Sequence, residues 1–297
     1  MKTLDTAVDL RYSGHPWDRA AAGWNNHAAM IHDWLLPATQ MMLDKANIRS
    51  GSRVLDIATG AGDQTLDIAC RVGSDGSVLA TDISPAILAL AQKNAQIAGL
   101  TQISTQVADA QSLGLAGADF DAAVCRLGLM FCSSPLVALT EIRAALIPKG
   151  RFSALVFGEP AQNPCLTIAL TTARKHAQLW TKFEMNVQQA FEPGTLMSLG
   201  KPGLIKDLLQ TAGFVDITVD HISAPFYSPS VEHYIDFLRS AASPVIEILA
   251  LLPASAQENA WSDMTEQLRL FSSKSEWIGP NGLLLCSATR PALGSES

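Results

Sequence analysis

The chain has 297 residues, 48% of them hydrophobic, and 28 acidic residues against 21 Lys and Arg give a formal net charge of −7. That is enough apolar material for one large domain, or a domain with a sizeable insertion, and the acidic balance excludes non-specific nucleic-acid binding, which needs a basic face. No apolar run reaches the roughly 18 residues of a membrane helix, the N-terminal stretch MKTLDTAVDLRYSGHPW lacks an apolar signal segment, and the five cysteines are scattered without a C-x-x-C pair. A cytoplasmic protein with free thiols is expected.

Residues 1–14 are polar and read as loose. Residues 17–45 read as helix, with Trp17, Trp24, Met30, Ile31, Trp34 and Leu35 recurring at three- and four-residue steps and Pro37 interrupting. A polar turn at 47–51 leads to the apolar run Val54, Leu55 and Ile57, which ends in Thr59-Gly60-Ala61-Gly62: a buried strand passing through a tight turn into a helix. That helix stops at Gly73. A second strand over 78–81 ends at Asp82, and Ser84-Pro85 caps a helix that Gly99 closes. A third strand over 103–107 ends at Asp109, and a fourth over 120–125 ends at Arg126. Ser134-Pro135 starts a further helix, which Pro148-Lys149-Gly150 ends, and 152–157 is a fifth strand. Strand and helix alternate across 54–158, which predicts right-handed crossovers and a parallel sheet.

After Gly158 the rhythm changes. Residues 159–212 carry helical segments with Leu179, Trp180, Phe183, Met185, Phe191 and Met197 between Pro and Gly breaks. A strand is predicted over 214–219, an amphipathic helix on Val231, Tyr234, Ile235 and Leu238, and a helix from Ser243-Pro244 to Leu252. A helix over 261–271 and a last strand over 282–289 follow. The two late strands suggest an antiparallel pair added to the sheet, with the insertions standing over its ligand edge as a lid.

The glycine loop narrows the ligand. Gly60 and Gly62 leave room for a ligand against bare backbone, and Asp82, twenty residues beyond Gly62, is placed to accept hydrogen bonds from a ribose. A dinucleotide loop wants a small residue where this chain has Thr65, and Asp56 ahead of the glycines would repel a pyrophosphate. With Asp109, three carboxylates stand at three successive strand ends. They favour a cationic adenosyl compound and disfavour a nicotinamide oxidoreductase.

The segments VLDIATGAGDQT, ATDIS, VADAQSL, FDAAVCRLGLMF and EIRAALIPKGRF resemble, in order, the motifs of class I S-adenosylmethionine-dependent methyltransferases, in the small-molecule branch of the ubiquinone/menaquinone-biosynthesis type. The resemblance is strong over 50–158 and looser over 17–49 and 203–220. Ala58 stands where the common pattern has glycine, and Ala61-Gly62 replaces the usual Thr-Gly. The resemblance implies an α/β, Rossmann-like doubly wound sheet of seven strands, mostly parallel with the last antiparallel. An N-terminal helical cap (1–50), a cofactor-binding core (51–158) and the rest of the sheet with helical lid insertions (159–297) would form one continuous domain.

The roles it implies are as follows. Ala58, Gly60 and Gly62 line the methionine end of S-adenosylmethionine, and Asp56 holds the loop amides or, through water, the amino group, unless it is a structural cap. Thr65 bonds the cofactor carboxylate or caps its helix. Asp82 takes the ribose hydroxyls, Ile83 packs on the adenine or in the core, and Asp109 and Ala110 bind the adenine edge. Arg126 and Leu127 pass by backbone near the sulfonium, with a structural ion pair as the alternative for the Arg126 side chain. Trp17 and Trp24 come from a helix folded over the cofactor, or belong to the core.

Methyl transfer disperses charge, so positioning and water exclusion can supply much of the rate without a universal catalytic residue. His27 and His32 are five apart, on different helical faces, and there is no H-E-x-x-H, so no metal is expected. His176 and His221 lie in or beside the lid, and His32 is the single candidate chosen as a base for an oxygen acceptor. The expected reaction methylates a small, largely apolar acceptor at O, C or N and releases S-adenosylhomocysteine. The rival reading keeps the cofactor site for cyclisation, rearrangement or regulation without methyl transfer. Neither nucleic acid nor stable membrane insertion is expected, and a homodimer is left open.

Overall fold

A computed structural model describes residues 16–117, 119–179, 190–292 and 294. The loose N-terminal stretch and the lid candidates Trp180, Phe183 and Met185 lie outside the described residues.

Seven strands form one sheet in the order β3-β2-β1-β4-β5-β9-β6. They are β1 (Arg53–Ile57), β2 (Ser77–Asp82), β3 (Ile103–Val107), β4 (Phe120–Arg126), β5 (Leu146–Phe157), β6 (Val215–Ser223) and β9 (Gly282–Thr289). β1 pairs in parallel with β2 and β4, β2 with β3, and β4 with β5. β9 is antiparallel to both β5 and β6, so the last strand in sequence is the reversed one. Val54, Leu55 and Ile57 are buried in its middle, the continuous burial of a strand covered on both faces.

The helices α1 (Pro16–Asn26), α2 (Ala28–Lys45), α3 (Asp63–Val72), α4 (Pro85–Ile97) and α5 (Pro135–Ala145) precede the insertion. The later ones are α6 (Pro164–His176), α7 (Leu204–Thr211), α8 (Val231–Ala241), α9 (Ser243–Leu249) and α10 (Ala254–Leu268). A separate two-stranded antiparallel sheet of β7 (Phe226–Ser228) and β8 (Trp277–Gly279), absent from the sequence reading, joins α8 through Phe226, Tyr234 and Trp277.

Three details depart from expectation. The N-terminal helix breaks at His27, whose ring bonds Ser240 Oγ at 2.9 Å, and α2 then runs straight through Pro37. Proline costs that helix one backbone bond, but Ile31, Leu35, Ala38, Met42 and Leu43 are all buried along it, and that apolar stripe outweighs the local penalty. Pro148-Lys149-Gly150 does not lie outside the fifth strand but within it: Leu146 pairs with Phe120, and Lys149 (φ 65°) donates its amide to the Arg290 carbonyl at 3.0 Å. The third concerns the lid. Met197 is buried and Ser198 Oγ donates to the Met130 carbonyl at 2.7 Å, so this part of the insertion packs onto the sheet end instead of arching over it.

Candidate functional site

The C-terminal ends of β1, β2 and β4 open into one cleft that encloses about 1090 Å³ of atom-free space, its mouth included. Its floor is the glycine loop, with Ala58, Thr59, Gly60 and Ala61 followed by Asp63 and Gln64 at the start of α3. Asp82 and Ile83 come from the end of β2, and Asp109, Ala110 and Gln111 from the turn after β3. Arg126, Leu127, Phe131 and Cys132 follow from β4 and the 3-10 turn after it. Trp17, Trp24 and Ala28, with Ile31 and Leu35 of α2, form the remaining wall. Every lining residue lies between Trp17 and Cys132, so among the described residues the cover comes from α1 and α2, not from the insertion after Gly158.

The loop is shaped by charge. Asp56 is fully buried beneath it and accepts from Thr59 Oγ1 at 2.7 Å, from Thr65 Oγ1 at 2.6 Å and from the Gln64 amide nitrogen. Burial raises its carboxyl to about 6, against the lowering effect of those three hydrogen bonds and of Arg126. Asp82 accepts from the Gly60 amide and the Ser84 amide, both at 3.0 Å, so its carboxylate is aimed at the loop and stands in the cleft wall. Asp109 accepts from the Gln111 amide at 2.8 Å, and Gln111 Oε1 in turn accepts from the Ser134 amide at 2.7 Å, which ties the turn to the start of α5. Arg126 donates to Thr39 Oγ1 at 3.0 Å and pairs with Asp63 on α3.

The structure therefore divides the residues expected from sequence. Ala58, Gly60, Asp82, Ile83, Asp109, Ala110, Arg126, Leu127, Trp17 and Trp24 all line the cleft. Ile83 is 39% exposed, which places it at the ligand side and not in the core. Asp56 and Thr65 lie behind the loop, bonded to each other, because the first turn of α3 covers the end of β1. Asp56 reaches side chains, not the loop amides. Gly62 also faces away: a Cβ there would lie 3.0 Å from Ala91 Cβ, so its smallness serves the packing of α3 against α4. His32 is a correction too. Its Nε2 sits 3.3 Å from Asp67 Oδ1 on α3, outside the cleft, since α2 turns its apolar face to the sheet and this ring sideways.

Asp63, Gln64, Gln111 and Phe131 are cleft residues that sequence reasoning passed over. Asp63 and Gln64 were within the quoted motif, and an acid at the first position of a helix beside a strand-end arginine was the available signal. Phe131 had none, because its place depends on the 3-10 turn bringing it 4.9 Å from the Trp17 ring.

The chemistry of the lining fits a cationic ligand. Asp63, Asp82 and Asp109 are its acids, and Arg126, its one cation among the described residues, is already held by Asp63 and Thr39. A phosphate would find no free positive partner there. A Cβ at Gly60 (φ 58°) would meet nothing within 4 Å, so a ligand can lie directly on that backbone.

Comparison with known proteins agrees with this geometry. Residues 54–150 match the family model described as a methyltransferase domain. An uncharacterized protein of Mycobacterium tuberculosis is 31% identical over 148 residues, 50% of this chain and 53% of that protein. The ubiquinone/menaquinone biosynthesis C-methyltransferase of Teredinibacter turnerae is 34% identical over 125 residues, 42% of this chain and 50% of that protein. The chain thus spans about half the length of the curated relatives it matches. Among solved structures, phosphoethanolamine N-methyltransferase 2 of Haemonchus contortus, in complex with phosphomonomethylethanolamine and S-adenosylhomocysteine, superposes with a TM-score of 0.56. It is 15% identical and covers 95% of this chain and 59% of that one. Residues 54–150 are a methyltransferase domain, set in a chain with the class I S-adenosylmethionine-dependent methyltransferase fold and motifs resembling the ubiquinone/menaquinone-type enzymes.

Proposed function

We propose that the protein transfers a methyl group from S-adenosylmethionine to a small, largely apolar acceptor at O, C or N. The observation that carries this reading is the meeting of Gly60, Asp82 and Asp109 in one acidic cleft whose single cation among the described residues is already paired. The H. contortus enzyme was solved with S-adenosylhomocysteine, which supports the same cofactor here.

In this reading Asp82 holds the ribose hydroxyls, Ile83 and Ala110 flank the adenine, and Asp109 accepts from its amino group. Gly60 and Ala58 give the methionine end its floor. When bound, S-adenosylmethionine supplies an electrophilic methyl on a sulfonium. The chain supplies position and dryness: Asp56 fixes the loop from beneath, and Trp17 packs edge-on to Phe131 across the cleft. The apolar acceptor rests on Trp24, Ile31, Leu35, Leu127 and Phe131, which line the same space.

Calorimetric titration with S-adenosylhomocysteine, followed by turnover with methyl-labelled cofactor over a panel of apolar acceptors, tests the reading. Tight NAD binding with no S-adenosylhomocysteine binding overturns it, and cofactor binding with altered but unmethylated acceptor favours the cyclisation reading. Asp82→Ala should weaken S-adenosylhomocysteine at least about tenfold, the loss of charge-assisted hydrogen bonds. A change within about twofold sinks the ribose assignment.

A further inference from the structure

Among the described residues nothing after Cys132 lines the cleft, yet two helices of the insertion reach it indirectly, through α1. The helical repeat gives α1 three faces. Trp17 and Trp24, two turns apart, stand in the cleft wall. Asp18 and Asn25, also two turns apart, hold the framework beneath that wall. Asp18 accepts from Ser84 Oγ, and the Ser84 amide donates to Asp82 at 3.0 Å. Asn25 Oδ1 accepts from Asn94 Nδ2 at 3.0 Å, which also donates to the Ala61 carbonyl of the glycine loop at 2.9 Å. The third face meets the insertion. Arg19, Gly23 and His27, the last just past the helix end, follow there at one-turn steps. Arg19 Nη1 lies 3.0 Å from Glu247 Oε1 on α9, and Gly23 sits against the Ser240 carbonyl of α8. His27 Nε2 is 2.9 Å from Ser240 Oγ, with its ring edge-on to Phe237, centroids 5.5 Å apart. A helix of 11 residues is too short to hold itself in water, so these neighbours decide where α1 lies.

We propose that Ser240 and Glu247 are positioning residues for methyl transfer: by seating α1 they set where Trp17 and Trp24 stand, and so couple the insertion to the closure of the cleft. The inference rests on the S-adenosylmethionine reading above and adds how that site is controlled from outside it. One helix carries all three stripes, so a shift of α8 and α9 moves the two indole rings with it. Such a coupling is reciprocal. Whatever α8 and α9 contribute to cofactor affinity, bound cofactor returns to them as added stability.

Calorimetry and hydrogen exchange with S-adenosylhomocysteine test this. Arg19 and Glu247 are both partly exposed, so reversing either charge leaves the core untouched. Glu247→Arg combined with Ser240→Ala removes both seats and should weaken S-adenosylhomocysteine about tenfold. Arg19→Glu alone should weaken it about threefold, and the exchanged pair, Arg19→Glu with Glu247→Arg, should return to within about twofold of the wild type. In the wild type, S-adenosylhomocysteine should slow exchange over Val231–Ala241 and Ser243–Leu249 at least about threefold more than over Leu204–Thr211, which packs on α5 and β6. That excess should vanish in the Ser240→Ala, Glu247→Arg protein. Affinity within about twofold in that protein, an exchanged pair that fails to recover, or no excess slowing in the wild type overturns the proposal. If the wild type binds no S-adenosylhomocysteine, the cofactor reading fails and takes this proposal with it. A failure confined to the variants leaves that reading standing.

Discussion

Ala58 and Leu127 both hold left-handed backbone, at φ 54° and 56°, just beyond the ends of the paired strands β1 and β4. Each conformation costs a side-chain-bearing residue about 1–2 kcal/mol, and both residues line the cleft. Gly128 completes the arrangement, for a Cβ there would lie 2.3 Å from Ala58 Cβ. Gly128→Ala should therefore destabilise the fold by about 1–3 kcal/mol. Ala58→Gly relieves its own strain and opens that space, so the double variant should recover most of the loss, which urea unfolding of the four proteins measures. Asp56 gives a prediction in pH. Its folded carboxyl is raised to about 6 from an ordinary 3.8, so it binds its proton more tightly folded than unfolded. Its stabilising share is complete below that ordinary value and is lost as pH rises through about 6. Asp56→Asn carries no such proton, so between pH 4 and pH 7 the unfolding free energy should shift in the variant's favour by up to roughly 3 kcal/mol. A flat difference across that range would show that the buried carboxylate is not strained. At this scale the sequence named the right loop but not the direction of its side chains. Asp56, Gly62 and Thr65 sit in the motif beside Gly60, yet α3 folds back over them, and only the strand-to-helix angle decides which residue faces a ligand.

Among the elements, α1 bridges two parts of the molecule. It packs on α4 on one side and on α8 and α9 on the other. Asp18 accepts from Ser84 Oγ at the start of α4, while Arg19 reaches Glu247 of α9 at 3.0 Å. Gly23 makes the second contact close: a Cβ there would come within 1.8 Å of the Ser240 carbonyl oxygen. That atom is backbone and cannot swing aside. Gly23→Ala should push α1 off α8, and hydrogen exchange should then show lost protection over Pro16–Asn26 with β1 and β4 unchanged. Unaltered protection in α1 would refute the tight packing. The strand and helix alternation over 54–158 was legible because each element there carries local punctuation: Ser84 accepts from the Ile87 amide, and Gly73 and Gly99 close their helices at positive φ. The interruption at His27 was not legible, and the ring's partner there is Ser240, more than two hundred residues away. Where Met197 packs was not legible for a related reason: an apolar residue signals burial, not the surface it is buried against.

Across the whole molecule, no helix among the described residues is long and apolar enough to cross a membrane. The order β3-β2-β1-β4-β5-β9-β6 sets the switch between β1 and β4 at the centre of the sheet, where the cleft lies. A seven-stranded, mostly parallel sheet with its last strand antiparallel followed from alternating elements and five ordered motifs; the strand order did not. The β7–β8 pair did not, because three-residue strands give no periodic signal and these two, some fifty residues apart, meet where Trp277 packs on Tyr234, ring centroids 4.2 Å apart. β9 is the strand on which closure depends. Leu283, Leu285, Cys286 and Ala288 are fully buried in it, and it bonds β5 on one side and β6 on the other. A chain stopped at Pro280 should lose the cooperative thermal transition seen by circular dichroism; retention of that transition would mean that β5 and β6 can pair without it. Synthesis runs from the other end. β1 to β5 can zip together as they leave the ribosome, but β6 must wait unpaired for some sixty residues until 282–289 emerge, and Phe152, Leu155 and Val156 of β5 wait beside it. The time that a nascent chain spends with that open edge is when it is most exposed to aggregation, so slowing translation after Ser223 should lower the yield of soluble protein more than slowing it before Leu146.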